Sequence, residues 1–359
     1  MNKFTKIILL FLFCIFGISS VYSNDNENDL NVRELILTHI GDSYEWNIVH
    51  LKDKDISIPL PVIVKGKESG WHIFSSAKFH HGKESYRDFS IAQEGSYKGK
   101  IVETLSSGEI VRPWDFSLTR NATSLIMSCI VLVCLILYCA QWYKKRVGQP
   151  EAISPKGFIA FVEMVIMSIV GDVIKPCIGK NYKRYTPYLL TLFFFIIFNN
   201  LLGLVPIFPG GSNVTGNIAI TFTLALFTFV YVNIFATKEY WREIFMPDVP
   251  WWLNFPIPIM ITVEFLGIFT KPFALMIRLF ASILAGHALL LGLTCIIFLT
   301  VSLGVMLNTG MTIFAIILSV FSTCVELLVA YIQAYVFTML SAIYIGLSQV
   351  EPHHIKAKK

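Results

Sequence analysis

No residue from Tyr185 to Thr237 is an Asp, Glu, Lys or Arg. A soluble domain does not supply such a stretch, because about a quarter of its residues are charged. A bilayer asks for it. One helical crossing takes about 20 apolar residues, so this run has room for two. Within lipid, backbone N–H and C=O groups must find partners inside the protein, which selects helices for apolar runs of this length. Of 359 residues, 55% are hydrophobic and 15% charged, and the mean hydropathy is +0.63. The expected fold class is an all-α polytopic membrane protein with about five transmembrane helices. The net charge of +5 is small for the length and gives no ground for nucleic-acid binding. Lys and Arg read instead as topology signals.

At the N-terminus, MNKFTKIILLFLFCIFGISSVYS (1–23) sets Lys3 and Lys6 before a short apolar core and places Val21 and Ser23 at a small-residue cleavage site. That is the pattern of a signal peptide. Residues 24–115 are soluble in character and are expected to form a small extracytoplasmic region containing strands. WNIVHL, ISIPLPVIV and WHIFSSAKFH are its strand candidates. Five of the eight histidines fall here (His39, His50, His72, His80 and His81), in no metal-binding spacing, and read as surface histidines. The region has no cysteine and so no disulfide framework. Cys129, Cys134, Cys139, Cys295 and Cys324 lie in apolar segments, Cys14 in the signal and Cys177 in a basic loop.

From residue 116 onward the chain reads as a membrane domain, with spans at about 121–143, 187–207, 216–236, 256–298 and 311–348. A helix at about 157–175 has basic residues on both flanks and is expected to lie along the cytoplasmic surface. KKR at 144–146 and the closing EPHHIKAKK are cytoplasmic by the positive-inside rule, whereas FPGGSNVTG (208–216) has no Lys or Arg and faces outside. The fourth span is too long for an upright helix, which implies a tilted one with the proline-rich FPIPIM at its start. GVMLNTG (304–310) marks the turn before the last helix. Five crossings with the mature N-terminus outside satisfy every loop charge.

The fourth span carries Arg278 in the middle of TKPFALMIRLFASILAGHALL (270–290). Arg keeps its proton in proteins, and at mid-bilayer it costs roughly 2.5–3.5 kcal/mol. Glu264, Lys271, Arg278 and Ala285 recur every seven residues and form one helical stripe, with Ala274, Ala281 and Ser282 on the same face. Small residues on a membrane helix mean that another helix passes closely. Lys271 reads better as a snorkelling interfacial residue than as a transport group. The last helix has a matching stripe of Glu326, Ala330, Gln333, Ala334 and Phe337. In an antiparallel hairpin, paired positions share a constant index sum. Arg278 with Gln333 and His287 with Glu326 come within two of a common sum, centred near residue 306. The expectation is two depths: Arg278 with Gln333, and His287 with Glu326 some 10–13 Å nearer the outside. Glu264 lies roughly 21 Å to the cytoplasmic side of Arg278. His287 and Glu326 can relay protons from outside, Glu264 can serve a cytoplasmic route, and Arg278 stands between them.

KPFALMIRLFASILAGHALL and ELLVAYIQAYVFTML, with NLLGLVP at 200–206, make the chain resemble subunit a of F-type ATP synthases over about residues 115–350. The resemblance implies the membrane stator beside a rotating c-ring, a subunit with no catalytic chemistry of its own. It implies that Arg278 is the stator arginine that meets the rotor carboxylate and separates two half-channels. Gln333 would be the glutamine beside it, Glu264 a carboxylate of the cytoplasmic half-channel and Asn200 an asparagine of the second span. Ala281 and Ser282 stand where the common bacterial pattern has Gly-Asn, which brings Ser282 into the translocation set. His287 and Glu326 are exchanged relative to that pattern, as in mitochondrial homologues, and Gly203 replaces a frequent Asp. The implied partners are the c-ring subunits, the b subunits of the peripheral stalk, the rest of the synthase and the lipid bilayer, in a bacterial inner membrane. No cofactor or metal is implied. His287 favours H⁺ over Na⁺ as the ion. The rival readings are a polytopic membrane enzyme and a secondary ion-coupled transporter. No H-E-x-x-H, G-x-S-x-G or complete Walker A motif appears, nor two related halves.

Overall fold

The computed structural model describes residues 41–349 apart from 52–53, 81, 83, 94, 96, 107, 147–153, 206–209 and 246–258. The signal-peptide reading, Cys14, His39, His81, most of FPIPIM and the basic tail from 351 lie outside the described residues.

Eight short strands precede the first described helix: β1 (Glu45–Leu51), β2 (Lys54–Pro59), β3 (Pro61–Lys65), β4 (Trp71–Ser75), β5 (Phe89–Ile91), β6 (Ile101–Thr104), β7 (Ile110–Val111) and β8 (Trp114–Asp115). They pair antiparallel as β1–β2, β4–β3–β8 and β5–β6–β7. The segment ISIPLPVIV is therefore two strands parted at Leu60, and WHIFSSAKFH is one strand followed by a tight turn at Ser76–Phe79. Strand alternation sends Val62 and Val64 inward, both fully buried with Phe79 and Phe89. His72 is not a free surface histidine. Its ring lies edge-on to Phe89 with centroids 5.5 Å apart, and its Nε2 is 2.9 Å from the Ser69 carbonyl. Burial raises the Tyr44 hydroxyl pKa, as does its hydrogen bond to Asp115.

The helices are α1 (Arg120–Lys144), α2 (Phe158–Ser168), α3 (Lys175–Ile178), α4 (Tyr182–Leu204), α5 (Ile218–Ile234), α6 (Lys238–Phe245), α7 (Ile259–Leu299) and α8 (Val305–Ser348). A wider π turn, Ile169–Ile174, joins α2 to α3, so Cys177 sits in a helix and not in a loop. Thr119 caps α1, and Asp42 accepts the Asn121 N–H at 3.1 Å. The strand region is thereby fastened to the first span. Among the described residues three helices, α1, α7 and α8, are long and apolar enough to cross a membrane, and α5 is a shorter apolar helix. With 41 and 44 residues, α7 and α8 each run about 60 Å, twice the hydrocarbon thickness, so neither fits upright.

The hairpin turns earlier than GVMLNTG suggests. Gly304 has φ 101°, a conformation that a glycine adopts without strain, and α8 begins at Val305. Asn308 and Thr300 hydrogen-bond across the bend at 2.9 Å. The core collects Ile169, Val173 and Ile174 with Leu189, Phe193 and Ile196 of α4, Leu275 and Leu279 of α7, and Phe337, Ala342 and Ile345 of α8. Large apolar side chains also cover the outside, among them Ile130, Phe227, Phe273 and Ile317. A water-facing protein does not carry such a surface; a lipid-facing one requires it.

Candidate functional site

Leu275, Leu279 and Ile283 recur every four residues on α7 and are all buried. Burying that row rolls the opposite side of the helix outward. Ala274, Arg278, Ala281 and Ala285 are accordingly exposed, and Glu264 and Lys271 are half-buried on the same stripe. Among the described residues the Arg278 guanidinium has no hydrogen bond and no ion pair. Ser282 does not supply one: its hydroxyl donates to the Arg278 and Leu279 carbonyls at 2.8 and 3.2 Å, back onto its own helix. Among the described residues, no side chain pairs with Arg278 across this small-residue face.

The matching stripe on α8 points elsewhere. Glu326, Ala330, Ala334 and Phe337 are buried. They face inward, where the Asn200 side chain of α4 donates to the Ala330 carbonyl at 3.2 Å and accepts from Thr215 at 2.7 Å. Asn200 thus ties α4 to α8. Gln333 is half-buried at the edge of that stripe, and its side chain makes no hydrogen bond among the described residues. Arg278 and Gln333 are not joined.

His287 and Glu326 are joined. Nδ1 of His287 is 2.7 Å from Oε1 of Glu326, with side chains 16% and 5% exposed. The approach is close but off-line, so neither carboxylate oxygen gains a well-angled hydrogen bond. Gly286 makes the room: a Cβ there would lie 2.8 Å from the Glu326 Oε1, whereas one at Gly203 would sit at an ordinary 3.5 Å from the His287 Nε2. The imidazole thus touches a carboxylate on one side and borders the C-terminal end of α4 on the other. Buried polar side chains gather there: Asn121, Ser124 and Ser128 on α1, Asn199 and Asn200 on α4, and Ser212, Asn213 and Thr215 in the α4–α5 connection. Ser212 donates to Asn121 at 2.6 Å and Ser128 to Asn199 at 2.8 Å, while the Asn213 amide nitrogen is buried with no partner among the described residues. Apart from Asn200, sequence reasoning missed this cluster. Its signal was the 121, 124, 128 spacing of polar residues on an otherwise apolar helix.

On the other side of Arg278, Glu264 lies fourteen residues back along α7. Burial pushes the Tyr240 hydroxyl pKa up, and the nearby Glu264 charge adds to it. A cavity of about 20 Å³, room for a water or so, lies between Asn233, Tyr240, Lys271 and Tyr344. Lys271 stands 5.8 Å over the Tyr344 ring. Among the described residues no group of three or more His, Cys, Asp or Glu could hold a metal ion.

These features define a polytopic helical membrane protein that presents one unpaired cation on an exposed small-residue face, with titratable groups at a second depth on either side. A family model described as ATP synthase A chain matches residues 122–346, and a domain of unknown function, DUF8433, matches 35–116. The chain is 39% identical over 289 residues to ATP synthase subunit a of Chlorobium phaeobacteroides, covering 76% of this chain and 78% of that one. It is 40% identical over 239 residues to ATP synthase subunit a 2 of Chlorobaculum tepidum (66% and 65%), and 38% over 248 residues to ATP synthase subunit a of Myxococcus xanthus (67% and 75%). The chain belongs to the ATP synthase A chain family.

Proposed function

We propose that this chain is the proton-translocating stator subunit of a rotary F-type ATP synthase, working through two aqueous half-channels separated by Arg278. The observation that carries the reading is the exposed, unpaired guanidinium on a face of alanines. A cation in hydrocarbon needs a partner, and this chain offers none among its described residues. A carboxylate arriving on a c subunit supplies it, and the alanines let that helix come close.

Protons enter from outside among the buried Asn, Ser and Thr side chains near Asn200, reach His287 and Glu326, and neutralise a c-ring carboxylate. A neutral carboxyl can enter lipid, so the ring turns. After a turn it meets the cytoplasmic route beside Glu264 and releases its proton. Arg278 then attracts the emptied carboxylate and repels any proton moving straight across. Gln333 and Ser282 line the approach. The chain handles no nucleotide. It crosses a bacterial inner membrane five times, with a signal peptide at 1–23, the mature N-terminus in the periplasm and the C-terminus in the cytoplasm. The c-ring and the b subunits of the peripheral stalk are its neighbours.

The test is Arg278→Ala and Arg278→Lys in the assembled complex, read as ATP-driven acidification of inverted vesicles. Both abolish pumping while leaving assembly largely intact, Lys because it sheds its proton in an apolar site. Undiminished pumping in either would remove the central claim.

A further inference from the structure

The outward face of the β4–β3–β8 sheet has the wrong chemistry for water. An antiparallel sheet with one packed face carries polar side chains on the other. Here the buried Val62, Val64 and Phe74 fill the inner face, and alternation turns Lys65, Trp71, Ile73, Trp114 and Phe116 outward. The register sets them side by side. Lys65 pairs with Trp71 on one flank and Trp114 on the other, and Ile63 pairs with Ile73. The Phe116 N–H donates to the Ile63 carbonyl at 2.9 Å. Trp71, Ile73, Trp114 and Phe116 are 57%, 75%, 73% and 56% exposed. The Trp71 and Phe116 rings stand 5.7 Å apart, and the Lys65 ammonium lies 5.6 Å over Trp71. The patch exposes on the order of 500 Å², a size that marks an interaction site.

Its position says what covers it. The chain from Trp114 to Leu118 is bonded to β3, with the Leu118 N–H on the Pro61 carbonyl at 3.2 Å and the Ile63 N–H on the Ser117 hydroxyl at 3.1 Å. It then enters α1, where the Arg120 N–H donates to the Ser43 carbonyl at 2.8 Å. Trp114 is thus within about 20 Å of chain from the first turn of a membrane span, with no free linker between them. That span continues the apolar surface through the exposed Ile126 and Ile130. Trp and Phe beside a snorkelling Lys suit the depth where headgroups meet acyl chains. We propose that this sheet face lies on the outer leaflet of the bilayer, with Trp71, Ile73, Trp114 and Phe116 seated at headgroup level. The N-terminal region then acts as a membrane-surface clamp on the outer end of α1. Through the Ser212–Asn121 hydrogen bond, it also steadies the α4–α5 connection beside the outer route.

The inference rests on α1 crossing the membrane, and the experiment separates the two. Single cysteines Ile73→Cys, Glu109→Cys and Ile130→Cys, in a cysteine-depleted full complex, carry an environment-sensitive fluorophore in vesicles containing spin-labelled lipids. Quenching by headgroup-proximal spin labels should be several-fold stronger at 73 than at 109, with 130 quenched by deeper labels. Quenching at 130 but not at 73 overturns the clamp alone; no quenching at 130 overturns the span and the clamp with it. A label at 73 that is shielded from aqueous quencher yet blind to lipid means a protein partner, and also overturns it. Trp114→Phe gives an unlabelled check. It should lose more of the emission quenched by brominated lipids than Trp46→Phe, whose indole is buried; equal losses refute the proposal.

Discussion

Gly286→Ala tests whether the His287–Glu326 contact carries protons. A methyl there would sit 2.8 Å from Oε1, 3.0 Å from Cδ and 3.2 Å from Cγ of Glu326, against an ordinary contact of 3.4 Å or more. The carboxylate must therefore retreat by about 0.6 Å. It has little slack, being 5% exposed with the His287 Nδ1 at 2.7 Å. A shift of that size can lengthen the His287–Glu326 contact to about 3.3 Å, past the usual N–H···O distance. Overpacking costs typically 1–3 kcal/mol. If only about 1.4 kcal/mol reaches the proton-transfer barrier, the rate falls tenfold. The expected result is ATP-driven dye quenching in inverted vesicles reduced about tenfold at matched assembly. Gly310→Ala on α8, away from the Arg278 stripe, is the control. Beyond its own helix backbone no described atom lies within 4 Å of the new methyl, and helix propensity improves by up to about 1 kcal/mol, so pumping should hold. Adding Glu326→Asp to Gly286→Ala shortens the acid by one methylene and should recover part of the loss. Pumping by Gly286→Ala equal to that of Gly310→Ala would refute the reasoning.

Three further outcomes are expected. His287→Glu and Glu326→His each leave a like pair in one buried site. The double exchange restores one imidazole and one carboxyl, and should pump better than either single variant but less well than the parent; if it matches the worse single variant, the two residues are not an exchangeable relay. Cysteines at 287 and 326 should form a disulfide readily and those at 278 and 326 poorly, because nine residues of α7 separate the two depths by about 13 Å; preferential 278/326 cross-linking contradicts the register. The third outcome concerns Glu103, 1% exposed in the N-terminal region. Burial opposes its charge, but the N–H groups of Lys67, Glu68 and Ser69 and the Ser69 hydroxyl donate to it and hold its pKa below the ordinary value. A carboxyl with a lowered folded pKa adds stability above its unfolded pKa and loses it as pH falls through the folded one. Amide exchange at 66–70 should therefore accelerate, relative to intrinsic rates, on acidification below the usual carboxylate range. Glu103→Gln should show the faster exchange already at neutral pH, and unchanged protection there would overturn the assignment.

The sequence by itself determined the parts of this protein that depend on local period and chain order. Uncharged runs demanded spans because lipid leaves the backbone no other partner. A seven-residue recurrence put Glu264, Lys271 and Arg278 on one stripe. A constant index sum brought His287 to Glu326, because two helices joined by a short turn must run past each other in register. Tertiary structure decided which neighbour each face meets. The α8 stripe read the same whether it faced Arg278 or α4, since Ala330 and Ala334 allow close approach to either. Only packing turned it onto Asn200 and left the Arg278 face bare. The polar cluster beside His287 joins residues 121 and 212, a separation at which sequence spacing carries no information. The turn before the last helix was legible but its extent was not: Val305, Met306 and Leu307 suit a helix as well as they suit a loop in lipid, and only backbone geometry ends the turn at Gly304.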